Sequence, residues 1–218
     1  MPLAIFDLDN TLLAGDSDHA WGEFACEAGL VDAVEFGARN DAFYEDYKAG
    51  ALDIDAYLRH ALTPLVGQPA ELIADWHRQF MATKIEPMLQ AAAFALVEQH
   101  RSCGDTLLII TATNSYITAP IARRFGIDNL LACEGEIVAG RYTGEPSGIP
   151  SYGAGKITRL QQWLQTHPHS LAGSIFYSDS HNDLPLLREV DKPVAVDPDE
   201  TLRAVAEAQA WPIISLRD

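Results

Sequence analysis

Two kinds of hydrophobic pattern alternate along the chain. Residues 3–6, Leu-Ala-Ile-Phe, form a short apolar run closed by Asp7, the pattern of a strand buried on both faces with a polar group at its carboxyl end. Residues 106–110 repeat it and are followed by Thr111, just before a predicted helix; residues 174–177 repeat it again and are followed by Ser178 and Asp179. Between these runs, apolar positions recur every three or four residues over 88–102, 116–125, 156–165 and 201–208, which predicts helices, and Cys103-Gly104 is a C-terminal stop for the first. Shorter apolar runs at 130–133, 193–196 and 212–214 supply further strands. Strand and helix alternating in this way predict an α/β fold with a doubly wound, mostly parallel sheet. In such sheets ligands sit beyond the carboxyl ends of the strands, so the three polar endings are expected to converge on one site.

The stretch 14–84 breaks the alternation. It has no strong strand run, and spacings such as Trp21-x-x-Phe24 and Tyr44-x-x-Tyr47 read as helical, with Pro69 and Glu71 marking a helix start. We expect a helical cap at 14–84, inserted after the first strand of a core made of 1–13 and 85–218. Residues 134–142, with Ala139-Gly140 between two short runs, predict a β-hairpin.

Composition narrows the functional classes. Thirty-one acidic residues against 15 Lys and Arg give a net charge of −16, a field that repels nucleic acid and anionic membrane surfaces. A small, singly phosphorylated partner remains compatible if a metal ion and local donors neutralise it. The three cysteines, Cys26, Cys103 and Cys133, form no C-x-x-C pair and are expected to be reduced packing residues. No apolar stretch approaches the ~18 residues of a membrane span, so a cytoplasmic protein without a membrane partner is expected. Nothing in the sequence sets the oligomeric state.

The candidate chemistry lies at the strand ends. Asp7 and Asp9, two residues apart after a buried strand, are costly without compensation, and a hard divalent cation with oxygen ligands would supply it. Asp179 and Asp183 in Ser178-Asp179-Ser180-His181-Asn182-Asp183 add two further acids to complete the metal shell. His181 reads as a loop residue, since a hard-cation site has no need of imidazole. Thr111 offers a hydroxyl and, with Ala112, backbone N–H groups to an anion; Lys156, after Gly153-Ala154-Gly155, offers a positive charge to phosphate oxygens. Neither a Walker P-loop nor a dinucleotide fingerprint is present.

The order D-x-D-x-T, Thr after a strand, Lys, then S-D-S-x-N-D resembles the four motifs of the haloacid dehalogenase superfamily of phosphohydrolases, and the insertion after the first motif resembles the cap of its subfamily IB, the phosphoserine phosphatase-like branch. The resemblance implies a phosphoric monoester hydrolase in which Asp7 forms an aspartyl phosphate and Asp9 is general acid and base. It implies Mg²⁺ held by Asp7, Asp179 and the backbone carbonyl of Asp9, with Lys156, Thr111 and Asn182 on the phosphoryl oxygens. Asp183 would orient Lys156 or a metal-bound water. Selectivity would lie in the cap, with Asp16, Asp18, His19 and Trp21 as candidates.

Asp16 stands nine residues after Asp7, where phosphoserine phosphatases carry the acid that binds the substrate ammonium, so an amine-bearing substrate is expected. The arginine that would bind a serine carboxylate has no counterpart, Arg39 and Arg59 being only nearby in sequence, and Ser178 and Ser180 replace the glycines of the branch's last motif. Both departures favour an amino alcohol phosphate such as histidinol phosphate, assigned to one group of close relatives. Phosphoserine hydrolysis, a phosphomutase, a lipid-phosphate phosphatase and a non-catalytic sensor are the alternatives.

Overall fold

The computed structural model describes residues 2–217. Strands β1 (Leu3–Phe6), β2 (Thr106–Asn114), β3 (Asn129–Val138), β4 (Arg141–Ser147), β5 (Ile175–Ser178), β6 (Lys192–Val196) and β7 (Ile213–Ile214) form one sheet in the order β4-β3-β2-β1-β5-β6-β7. Every neighbouring pair is parallel except β3 and β4. The chain winds outward from β1 through β2 and β3 on one side, then through β5, β6 and β7 on the other. The border of β1 with β5 is therefore the switch point, where a ligand crevice opens at the carboxyl ends of the strands.

Alternation along the strands divides the core into two layers. Ala4, Phe6, Leu107, Ile109 and Tyr177 face one side of the sheet, with Phe6 stacked on Tyr177 at 5.3 Å, and pack toward α1 (Ser17–Glu27), α4 (Ala70–Phe80), α5 (Ala91–Cys103) and α6 (Ser115–Arg124). Leu3, Ile5, Leu108, Ile110 and Phe176 face the other, toward α7 (Ala154–Thr166), α8 (Leu184–Leu187) and α9 (Glu200–Ala208). Helices α2 (Ala33–Lys48) and α3 (Ile54–Leu62) complete a mainly helical segment between β1 and β2, with isolated bridges of Leu13 to Leu89 and of Val66 to Tyr142.

Several elements differ from the sequence expectation. Helix α5 starts three residues later than its periodicity suggests, because Glu86–Met88 is a separate turn around Pro87; Gly104, with φ of 80°, ends it as expected. The run at 130–133 and the first arm of the hairpin are one strand, β3, which pairs with β2 and then continues against β4. Ala139 and Gly140 both have positive φ in the two-residue turn. Cys133 is buried, whereas Cys103, on the last turn of α5, is exposed. Among the described residues no helix is long and apolar enough to cross a membrane.

Candidate active site

The backbone N–H of Asp7 donates to the Tyr177 carbonyl at 2.9 Å, so the first acid is pinned at the end of the central strand. Residues Leu8–Leu12 then coil into one tight turn, with Asn10 at φ of 54° and Leu13 N–H closing back on the Leu8 carbonyl at 3.0 Å. A distant residue holds this turn from outside: Arg217 donates to the carbonyls of Asn10 (2.7 Å) and Leu13 (2.9 Å).

Lys156 stands behind Asp7. Its ammonium donates to Asp7 Oδ1 at 2.7 Å and to Asp183 Oδ2 at 2.8 Å, and the residue is only 3% exposed. The two glycines before it have separate reasons: Gly153 has φ of 51°, and a Cβ on Gly155 would meet the Pro150 carbonyl oxygen at 2.1 Å. Burial works against the charged lysine, but Asp183 and Asp7 outweigh it and raise its pKa. The proton of the group therefore stays on nitrogen. Burial raises the Asp7 carboxyl to about 7 against the pull of Lys156, with Asp183 and Asp9 adding to the rise. Asp183 is fixed in turn by the Ser178 hydroxyl at 2.7 Å, which explains a serine at a position where the related motif has glycine.

Asp179, after β5, meets the same centre through Thr11. The Thr11 hydroxyl lies 3.1 Å from Asp179 Oδ1 and 3.4 Å from Asp7 Oδ2, and its oxygen accepts the Asp179 N–H at 3.1 Å. One hydroxyl proton cannot serve both carboxylates. Burial, then Asp7 and Asp183, push the Asp179 carboxyl well above its ordinary range. No three His, Cys, Asp or Glu side chains form a metal-ligand group among the described residues. A buried and a half-buried carboxylate with one hydroxyl between them nonetheless suit a hard divalent cation that keeps several waters. The Asp9 carboxylate is occupied elsewhere, accepting from Ser17 N–H (2.6 Å) and the Thr113 hydroxyl (2.7 Å), so Asp9 is available to a cation through its backbone carbonyl and not through its side chain. Burial and the charge of Asp16 raise the Asp9 carboxyl to about 7.

In front of Asp7 and Asp9 lies a narrow cleft. Thr111, Ala112 and Thr113 form its floor; Asp16, Asp18, His19, Asn40 and the rings of Phe43, Tyr44, Tyr47 and Tyr57 form its walls. No lysine or arginine is among these lining residues. Asp16 also caps α1, its Oδ1 accepting from Asp18 and His19 N–H at 3.0 and 2.8 Å, and His19 pairs with Asp41 at 3.0 Å. Arg59 is engaged with Glu145 at 2.7 Å, and Arg39 lines a different depression beside Phe36 and His60.

Two sequence expectations need correction. Trp21 does not reach the cleft: it is fully buried one turn further along α1, against Phe24, Phe80 and Tyr116, and its indole N–H donates to the Ala61 carbonyl at 3.1 Å. A large ring gains more from that apolar contact than from a wet wall. Thr111 and Ala112 do not directly precede a helix, because β2 runs on to Asn114 with a register irregularity after Ile110, and Asn114 caps α6. The Asn182 amide donates to the Tyr47 carbonyl and its Oδ1 accepts from the Tyr152 hydroxyl, both at 3.2 Å. His181 pairs with Asp199 at 2.8 Å, in keeping with a loop residue.

Sequence reasoning passed over Thr11, Ser17, Thr113 and the tyrosines of α2 and α3. Thr11 was visible as the last letter of D-x-D-x-T. Tyr44 and Tyr47 carried only a helical spacing, which core packing explains equally well.

A family model for haloacid dehalogenase-like hydrolases matches residues 4–188. A histidinol-phosphatase of Neisseria meningitidis serogroup C (strain 8013) is 48% identical, over 99% of this chain and 99% of that protein. The phosphoserine phosphatase SerB1 of Mycobacterium tuberculosis (strain ATCC 25618 / H37Rv) is 32% identical, over 98% of this chain and 70% of that protein. The crystal structure of a protein with unknown function from Bordetella pertussis Tohama I superposes with a TM-score of 0.93 at 42% identity, covering 99% of both chains. A phosphoserine phosphatase captured as a phospho-aspartyl intermediate analogue, 16% identical, shares the fold with a TM-score of 0.71 over 99% of this chain and 93% of its own.

Proposed function

The chain belongs to the haloacid dehalogenase-like hydrolase family, and on that footing we propose that it is a Mg²⁺-dependent phosphoric monoester hydrolase whose substrate is histidinol phosphate. The observation that carries the substrate is the wall of the cleft, where Asp9, Asp16 and Asp18 stand among aromatic rings without a lysine or arginine. A leaving group with a positive charge and a flat ring suits that wall. The carboxylate of phosphoserine would face three acids and no cation, a buried mismatch that discriminates strongly.

In this reading residues 14–84 cover the site and 1–13 with 85–218 form the catalytic core. Asp7 attacks phosphorus in line; a P–O bond forms to its carboxylate as the bond to the leaving oxygen breaks. Asp9, raised to about 7, gives its proton to the departing alkoxide. The resulting carboxylate then takes a proton from the water that attacks the aspartyl phosphate, which returns Asp7 and releases inorganic phosphate. Thr113 and Ser17 N–H hold Asp9 in place for both transfers. Lys156 keeps its charge beside Asp7, steadied by Asp183, and offers it to the phosphoryl group, with Thr111 and Ala112 beneath. Asp7, Asp179 and the Asp9 carbonyl would hold Mg²⁺, which when bound neutralises charge between Asp7 and the phosphoryl oxygens.

The test is phosphate release with Mg²⁺ from histidinol phosphate, phosphoserine and p-nitrophenyl phosphate, with EDTA and Asp7→Asn as controls. We expect histidinol phosphate to exceed phosphoserine by about 10²-fold or more in kcat/KM and Asp7→Asn to lose most turnover. Equal rates on both metabolites would overturn the substrate; an active Asp7→Asn would overturn the covalent route.

A further inference from the structure

We propose that Asp18 is the residue that reads the far end of the leaving group, accepting a hydrogen bond from a ring N–H of an imidazole seated against the tyrosines of α2 and α3. The proposal rests on the reading that the substrate is the phosphate ester of an imidazole-bearing amino alcohol.

Asp18 is the second residue of α1, lines the cleft and is 6% exposed. Its Oδ1 is buried with no hydrogen-bond partner among the described residues. An acid in the first helical turn normally serves the exposed N–H groups there, but Asp16 already caps α1 and takes both the Asp18 and His19 N–H groups. Capping therefore leaves Asp18 unexplained. An idle buried carboxylate oxygen costs stability and is retained where a ligand completes it.

The surroundings select the kind of ligand. The Tyr57 and Thr113 hydroxyls flank the carboxylate, and Phe43, Tyr44, Tyr47, Leu52 and Ile54 continue the wall. A primary ammonium has three N–H bonds to satisfy and keeps its water. An imidazole presents one or two in-plane N–H groups between two apolar faces, which matches a single free acceptor in an aromatic wall. Asp16, whose charge acts on Asp9 and which feels that of Asp7, suits the ammonium on the carbon next to the ester.

The wall is built to hold Asp18 in register. Asn40 on α2 donates to the His19 carbonyl at 3.0 Å, and its side chain fits against α1 because Gly22 has no Cβ; one placed there would meet Asn40 at 2.3 Å. That contact locks α1 to the helix carrying Tyr44 and Tyr47.

Asp18→Asn and Asp18→Leu test the assignment. Both remove the buried carboxyl, and Asp18→Asn keeps its volume beside the Tyr57 and Thr113 hydroxyls, so it is the variant expected to fold with a melting temperature close to that of the parent. With histidinol phosphate we expect kcat/KM to fall by about 10²-fold, mostly through KM. With p-nitrophenyl phosphate, which has no ring N–H, the loss should be at least about tenfold smaller than with histidinol phosphate. Histidinol itself should inhibit the parent competitively and lose that inhibition in both variants. Equal losses on both substrates, or none on either, would overturn the role of Asp18 while leaving the phosphatase reading intact. A parent that hydrolyses p-nitrophenyl phosphate but not histidinol phosphate would overturn both the role of Asp18 and the assignment of the substrate.

Discussion

Replacing Lys156 with methionine is expected to cost the protein about 3 kcal/mol of folding stability, a figure that follows from three observations. First, the ammonium is 3% exposed and bonded to two carboxylates, at 2.7 Å to Asp7 and 2.8 Å to Asp183. Removing one partner from a buried ionic group typically costs about 3–5 kcal/mol, because the remaining charge is stranded. Second, Asp183 keeps the Ser178 hydroxyl at 2.7 Å, whereas Asp7 keeps only the long 3.4 Å approach of Thr11, so the stranded charge is chiefly that of Asp7. Third, methionine refills the volume of the lysine stem, which places the loss at the low end of the range. Equilibrium urea unfolding in EDTA near neutral pH, followed by circular dichroism, measures it. The decisive comparison is with Lys156→Met/Asp7→Asn, in which the stranded charge is gone. We expect the second substitution to restore about half of the loss or more, a coupling of roughly 1.5 kcal/mol or greater between residues in contact. A single variant within about 1 kcal/mol of the parent, or a double variant no more stable than the single, would refute the reasoning.

Two further predictions concern parts of the helical segment away from the chemistry. Trp21→Ala should lower stability by about 3–5 kcal/mol in the same unfolding assay, and Trp21→Phe by less, with KM for the substrate unchanged in each folded variant, since the ring packs on Phe24, Phe80 and Tyr116 outside the cleft. His60, stacked on Phe36 at 3.8 Å, has its pKa lowered to about 4 by burial and by Arg39. Between its unperturbed value of 6.5 and about 4 the unfolded chain binds a proton that the folded chain refuses, so stability is lost as pH falls through that window. Urea midpoints against pH should show the parent losing about 1–2 kcal/mol more than His60→Leu over that span; parallel curves would contradict it.

The sheet was legible because three apolar runs ending at Asp7, Thr111 and Asp179 can be buried in few ways, and parallel winding brings such ends together. The hydrogen bonds among them were not, because a motif spells out which residues meet and not which oxygen each one uses. Asp9 illustrates this: spacing puts it next to Asp7, yet its carboxylate turns to Ser17 and Thr113. Strand lengths were misjudged where one strand serves two neighbours, as β3 does, since the change of partner leaves no mark on the apolar pattern. Trp21 and Tyr44 show the same limit within helices. Both are aromatic and near the site in sequence, but one packs inside and the other faces the cleft, a choice made by α4 and α6 and not by the local spacing.

The clamp of Arg217 on the Asn10 and Leu13 carbonyls ties the turn after the nucleophile to a residue about 200 positions away. Arg217 therefore enters the enzymology without touching the cleft: a variant lacking its guanidinium leaves both carbonyls without these donors and frees one anchor of the loop that carries Asp9.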